Sequence, residues 1–412
     1  MNRFYIHSGF LFKSSQIMHI NKILILALLL ITDYCSGQNI IKADGSIITA
    51  KQIDNKVTML MDTAKVHGLN LAILNNNRIV YVKSYGYKNK PQKTLLDTAT
   101  IVYGASFSKA VFGFLVMKLV EEKKIDLDKP LYQYLQKPIA EYEYFSDLKN
   151  DDRCNLITAR MCLSHTTGLP NIRWFHPSTG EMDSLGIMRI YFTPGSKYAY
   201  SGEGFKLLQL AIEETMKKNI DELAQERIFN PFGMYRTGYT WHSSFGDDNV
   251  AVGHMNNGLI DQKKKRKEPV AGGSMVTTIA DYARFIEQVM LKNHLSAKQY
   301  KEMLSPQISI HSVTQFPPIT TEVTNENDAI HLSYGLGWGL FNCKLGRAFF
   351  KEGNGDAWKN YNINYPDKGI SVIIMTNSEN GEHLYQELLE TIVGETGIPW
   401  KWQNYIPYNA KK

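Results

Sequence analysis

"GASFSKAVFGFLVMKL", residues 104–119, is the stretch on which the reading of the whole chain turns. Apolar side chains at Val111, Phe114, Leu115, Met117 and Leu119 predict a well-buried helix running from Phe107 to about Glu122. At its head, Ser106 and Lys109 stand three residues apart and therefore share a helical face. A serine hydroxyl becomes a nucleophile only when a neighbouring base takes its proton. Lysine serves as that base only if burial or a nearby cation lowers its pKa from about 10.4. The helix N-terminus adds a favourable dipole, and the Ser106 N–H can face a developing oxyanion. Judged alone, the tetrapeptide fits equally well a serine near an N-cap and a lysine reaching solvent. Ser108 is expected to face away from the pair.

Two further polar elements follow. In "YAYSGEGFKLLQLAI", residues 198–212, Tyr200 precedes a Ser201-Gly202 turn and a helix from about Glu203. A tyrosine fixed there could relay a proton if a cation depresses its pKa; its plainer reading is a packed aromatic beside Phe205. In "FFKEGNGD", residues 349–356, Lys351 lies on a strand ahead of Gly353. The absent side chain at Gly353 would let substrate approach the backbone, and the Asn354 N–H could complete an oxyanion hole. By itself this is a strand end with an exposed lysine.

Together, in this order, the elements resemble the serine β-lactamase and penicillin-binding-protein-like hydrolases. The likeness is greatest to the branch of class C β-lactamases, D-stereospecific peptidases and esterases. "SFSK" is similar to that family's S-x-x-K box, "YSG" to its Y-x-N box and "KEG" to its K-T-G or H-x-G strand box. "LSHTTGLP", "IFNPFGM", "AGGSMVTTIADYARF", "YGLGWG" and "IIMTNSENG" also match, and the resemblance covers most of residues 45–395. It implies that Ser106 is acylated, that Lys109 and Tyr200 move its proton, and that Lys351 is a cation lining the site. It places Gly353 and Gly202 beside the substrate, implies an oxyanion hole from the N–H groups of Ser106 and Asn354, and calls for no metal or organic cofactor. Two positions depart from the pattern. Gly202 stands where asparagine is usual, and Glu352 where a hydroxyl residue is usual. Strand alternation should turn Glu352 away from the face that holds Lys351.

Outward from these boxes, "ITAKQIDNKVTMLMDTAKVHG" places Ile53, Val57, Leu60, Met61 and Ala64 on one helical face. "LNLAILNNNRIVYVKSYGY" predicts a hairpin around Asn75-Asn76-Asn77. "KKIDLDKPLYQYL" suggests an exit turn and a short helix, and residues from about 150 to 300 read as mostly helical patterns broken by Pro and Gly. Residues 306–330 are polar and Thr-rich, which predicts a long loop. Strands return in "YGLGWGLFN", "RAFFKEGN", "NYNINYP" and "ISVIIMTNS", and "EHLYQELLETIVG" closes the chain as an amphipathic helix. The expected fold class is α+β, β-lactamase/transpeptidase-like. An antiparallel sheet would be built from both ends of the chain, about 45–110 and 332–395, around a helical region of about 111–331.

The 412 residues are 43% hydrophobic and 21% charged, an ordinary globular composition. "NKILILALLLITDYCSGQ", residues 21–38, sets Lys22 before an apolar run from Ile23 to Ile31, too short to span a bilayer comfortably. Residues 1–37 are therefore read as a signal peptide, with Met18 a more compact start, and 38–412 as one catalytic domain. Cleavage near Gly37 would export the chain to the periplasm or beyond. Cys35 raises the alternative of a lipid anchor, against which stands the bulky Tyr34. Loss of that segment removes three cations and one anion and takes the net charge from +6 to +4, no case for a nucleic-acid partner. "KKKRK" at 263–267 is a solvated loop, and association with the cell envelope stays open. Cys154, Cys162 and Cys343 have no metal-like spacing, and neither do His165, His242, His254 and His383. Tyr334, Trp338, Trp358 and Tyr361 fit a cleft lining or core packing alike. The expected activity is an exported serine hydrolase acting on an ester, peptide or D-amino-acid amide. The alternatives are a true class C-like β-lactamase or DD-peptidase, and a catalytically weak ligand-binding protein of the same fold.

Overall fold

The computed structural model describes residues 39–410 except 264 and 321; the expected signal segment and Cys35 lie outside the described residues. The first long helix, α1 (Ala50–Ala64), opens with Thr49 and Gln52 bonding each other's backbone N–H in a capping box. It buries Ile53, Val57, Leu60, Met61 and Ala64, the stripe legible in the sequence. Two strands follow, β1 (Gly68–Asn75) and β2 (Arg78–Asn89). Asn76 and Asn77 join them at φ 50° and 61°, the left-handed pair that a two-residue hairpin turn requires.

A short β3 (Thr94–Leu95) leads to α2 (Phe107–Glu121). This helix is apolar all round and buried from Phe107 to Met117, as a central helix must be. Two more long helices, α3 (Gly202–Met216) and α4 (Ile279–Met290), each start at a hydroxyl cap, Ser201 and Thr278. The remaining strands of the main sheet are β4 (Ile308–Ser309), β5 (Ser333–Tyr334), β6 (Gly339–Cys343), β7 (Gly346–Asn354), β8 (Lys359–Tyr365) and β9 (Ile370–Thr376), before α5 (Tyr385–Val393). They form one antiparallel sheet in the order β4-β5-β6-β7-β8-β9-β1-β2-β3, so the two ends of the chain meet where β9 pairs with β1.

Alternation along the strands divides the core in two. Ala72, Leu74, Ile373 and Met375 face α2 and α4, whereas Leu71, Ile73, Val372 and Ile374 face α1 and α5. The fold is α+β, as expected. Two details differ from expectation. The sheet takes its edge strand β4 from the stretch assigned to the helical region. The segments 164–201 and 230–278 are largely irregular rather than helical, and "LYQY" is a single 3-10 turn. Left-handed His165, Gly168, Gly180, Gly186 and Gly195, with Pro170, Pro177 and Pro194, stop any helix before it can nucleate. Cys154, Cys162 and Cys343 are free thiols. Tyr334, Trp338, Trp358 and Tyr361 are all fully buried, which favours the packing reading; Trp358 also borders a surface cleft.

Candidate active site

The turn entering α2 is held from several sides. Ala105 adopts φ 47°, a left-handed conformation uncommon for alanine that persists only where surroundings enforce it. Gly104 N–H donates to Met275 O at 2.9 Å, and the Asn360 amide donates to Tyr103 O and Gly104 O at 3.1 and 3.3 Å. Ser108 does not join the pair. Its hydroxyl donates to Ala105 O and accepts Met275 N–H at 3.0 Å, tying the turn to residues 272–276. Ser106, which follows Ala105, occupies the N-cap position, yet its side chain makes no capping hydrogen bond. Its hydroxyl is left for another partner.

That partner is Lys109, whose Nζ lies 3.2 Å from Ser106 Oγ and donates to Gly272 O at 2.6 Å. Only 3% of Lys109 is exposed, and its ammonium faces the rings of Tyr200 and Phe205 at 5.0 and 5.6 Å. Burial, reinforced by the positive charge of Lys351, holds its pKa below the ordinary lysine value against an opposing pull from Tyr200. Tyr200 stands between two ammonium groups. Lys351 Nζ donates to its hydroxyl at 3.1 Å and, like Lys109, sits 5.0 Å from its ring centre. Burial pushes the Tyr200 phenol up, but the Lys109 and Lys351 charges outweigh it and hold the group below its ordinary value. Ser106, Lys109, Tyr200 and Lys351, 245 positions apart at the extremes of the sequence, are thus one connected cluster.

The strand residue Lys351 is 2% exposed on β7, and Gly353 two places on is pressed against the serine turn. A Cβ on Gly353 would fall 2.6 Å from Gly104 O and 3.2 Å from Phe107 N, so glycine is the residue that lets strand and helix start meet. Asn354, the last residue of β7, is exposed beside this junction. Gly202 is equally crowded. Its N–H donates to Asn171 O at 3.1 Å, and a Cβ there would lie 2.5 Å from the same oxygen. The departure from asparagine at 202 therefore has a local physical cause: the 171 loop crosses where the side chain would begin.

Glu352 pairs with Tyr361 in the sheet register and belongs to the face opposite Lys351. It is 9% exposed among Tyr198, Tyr334, Tyr361 and Tyr385. Burial raises its carboxyl to about 7, despite the opposing charge of Lys351. The site also contains His165, from the matching segment "LSHTTGLP", and Phe316, neither of which carried an expected role there. His165 stacks on Tyr200 at 4.1 Å while its Nδ1 accepts Ser201 N–H at 2.9 Å, and Phe316 packs on the same tyrosine at 5.4 Å. The Gly272 carbonyl that receives Lys109 comes from the matching segment "AGGSMVTTIADYARF", where a glycine offers no side chain to point to the contact. Among the described residues, no group of three His, Cys, Asp or Glu is arranged to hold a metal ion. A base beside a free hydroxyl, with a second titratable group clamped between cations, is a geometry suited to proton transfer from a serine nucleophile.

The family model described as Beta-lactamase matches residues 53–393. The D-alanyl-D-alanine-carboxypeptidase/endopeptidase AmpH of Escherichia coli (strain K12) is 24% identical over 334 residues, covering 75% of this chain and 78% of that protein. Penicillin-binding protein 4* of Bacillus subtilis (strain 168) is 24% identical over 346 residues, covering 76% and 68%. The octameric penicillin-binding protein homologue from Pyrococcus abyssi superposes with a TM-score of 0.67 at 20% identity, over 85% of this chain and 80% of that one. D-alanine carboxypeptidase AmpC from Burkholderia cenocepacia gives 0.63 at 16% identity, over 82% and 97%. At such identities the two structures speak for the fold.

Proposed function

The chain belongs to the beta-lactamase family, and from that premise we propose that it is an exported serine hydrolase acylated on Ser106. Its substrate is an ester, a peptide or a D-amino-acid amide. The observation that carries this reading is the buried Lys109 Nζ 3.2 Å from an uncapped Ser106 hydroxyl, with Tyr200 held by Lys351 beside it. Lys109 and Tyr200, both with lowered pKa, take the Ser106 proton as Oγ attacks the carbonyl carbon. The N–H groups of Ser106 and Asn354 receive the oxyanion, an interaction of about 3 kcal/mol per donor. Collapse expels the alkoxide or amine, which regains the proton from the Lys109–Tyr200 pair. Water then attacks the acyl-enzyme by the reverse proton path and frees the acid and Ser106. The peptidase name of the AmpH relative favours D-amino-acid peptides within this range. The apolar run at 23–31 supports export.

The test is steady-state turnover of p-nitrophenyl esters, D-amino-acid p-nitroanilides and a chromogenic cephalosporin by wild type and Ser106→Ala. Turnover of an ester or anilide that falls by roughly 10⁴-fold or more in the variant is expected. Equal turnover by both proteins, or none of any substrate by wild type, contradicts the proposal. Turnover of the cephalosporin alone assigns the chain to the β-lactamase alternative.

A further inference from the structure

Tyr200 keeps its place without regular secondary structure. It lies at the end of the irregular segment 164–201, directly before Ser201 caps α3. Its ring must nevertheless stay between the Nζ atoms of Lys109 and Lys351, each 5.0 Å from its centre. A side chain on irregular backbone drifts unless something fixes it, and a misplacement of about 1 Å is enough to slow a reaction roughly a hundredfold.

One residue supplies three restraints. His165 O accepts Ala199 N–H at 2.8 Å, and His165 Nδ1 accepts Ser201 N–H at 2.9 Å. The residues before and after Tyr200 are thus both bonded to His165. Its ring also stacks on the Tyr200 phenol at 4.1 Å, with 29° between the planes. The bracket is itself rigid. His165 is fully buried, and Tyr334, Phe205 and Tyr198 enclose its ring at 4.7, 5.2 and 6.0 Å. Its backbone is left-handed at φ 59°, a conformation that persists in a non-glycine residue where the surroundings enforce it.

The choice of imidazole has a chemical reason. A backbone N–H can only donate, so Nδ1 carries a lone pair and the proton of the neutral ring stands on Nε2. Nε2 is buried and has no hydrogen-bond partner among the described residues. Phenylalanine would fill the same space without stranding a polar atom. What histidine adds is the Nδ1 acceptor. Burial and the charges of Lys109 and Lys351 hold its pKa well below the ordinary histidine value, so the ring adds no positive charge beside Tyr200.

We infer that His165 is the positioning residue for Tyr200, gripping the backbone on both sides of it and backing its ring, so that the hydroxyl stays between Lys109 and Lys351. Being fully buried, His165 acts through Tyr200 and not on the substrate. The role presupposes that Tyr200 belongs to the base that takes the Ser106 proton.

Two variants divide the bracket. His165→Asn tolerates the left-handed backbone and can offer Oδ1 to Ser201 N–H, but removes the stacked ring. His165→Phe keeps the ring and removes the acceptor. Tyrosinate absorbance against pH and the rate of fluorophosphonate labelling of Ser106 are measured on each, with wild type and Tyr200→Phe alongside. Wild type should show one tyrosine titrating below the ordinary range, a step missing from Tyr200→Phe. In each His165 variant that step should move to higher pH, and labelling should slow roughly ten- to a hundredfold. A role confined to packing would lower the melting temperature and leave the step of the folded protein where it was. Either readout unmoved in either folded variant overturns the inference, and if one variant fails to fold, the other decides. Wild type without the low step, or without labelling, instead removes the reading of Tyr200 and Ser106 beneath it.

Discussion

Burial decides what Lys109 can do. An exposed lysine three residues from a serine would stay protonated and leave the hydroxyl inert; at 3% exposure beside Lys351, its neutral form becomes accessible. On the proposal that the unprotonated Lys109–Tyr200 pair is the base, kcat/KM should fall as pH drops through a limb lying below the ordinary lysine and tyrosine range. Tyr200→Phe keeps the ring on His165 but removes the group that raises Lys109, so the remaining limb should move to lower pH. The rate should drop roughly 10²-fold or more. A pH–rate profile with its limb unmoved would contradict the pairing. Glu352 makes a separate prediction about stability. Its carboxyl is raised from 4.5 to about 7 by burial, so the folded chain holds more protons than the unfolded chain across that window. Stability is therefore greatest at the acid end and is lost as pH rises through 7, by about 3 kcal/mol. Denaturant melts of Glu352→Gln should show a gain over wild type at pH 8 that shrinks at pH 5. The same difference at both would refute the shift.

At the scale of elements, the 171 loop and the start of α3 are fitted to each other. Restoring asparagine with Gly202→Asn drives a Cβ to 2.5 Å from Asn171 O, in a loop that Arg173 and Glu203 keep from yielding. The variant should lose about 1–3 kcal/mol, as overpacked sites do, and should gain no activity. Thermal melts and ester turnover check both halves. This contact also marks where sequence reading stops. The helical stripe from Ile53 to Ala64, the Asn76-Asn77 hairpin and the Ser106–Lys109 spacing were all legible, because each depends on neighbours along the chain. Asn171 over Gly202, Gly272 O on Lys109 and His165 against Tyr200 are meetings of distant segments, and no periodicity encodes them. The middle of the chain misled for a related reason. Its apolar residues are spaced as in helices, but glycine and proline turns at Gly168, Pro170, Gly186 and Pro194 let them reach the core from irregular backbone.

Across the whole molecule, the site is assembled by closure of the sheet. The first strands and the last strands pair at β1 and β9, which sets β7 with Lys351 against the helix start that bears Ser106. The C-terminal segment completes the opposite face. Trp402 is buried against Tyr198 and Phe350, bonds Ser312 Oγ at 3.1 Å, and accepts Gln315 N–H at 2.7 Å through its carbonyl. It thereby ties the segment that delivers Phe316 to the sheet. Trp402→Ala should cost about 3–5 kcal/mol and speed hydrogen exchange through residues 312–318; protection left unchanged there would deny the tie. The central claim, that closure creates one activated serine, is tested most directly by intact-mass analysis and peptide mapping after treatment with a fluorophosphonate. A single adduct on Ser106, absent from Ser106→Ala and sharply slowed in Lys109→Ala, is the predicted result. An adduct on another serine, or none on the folded protein, would contradict the account.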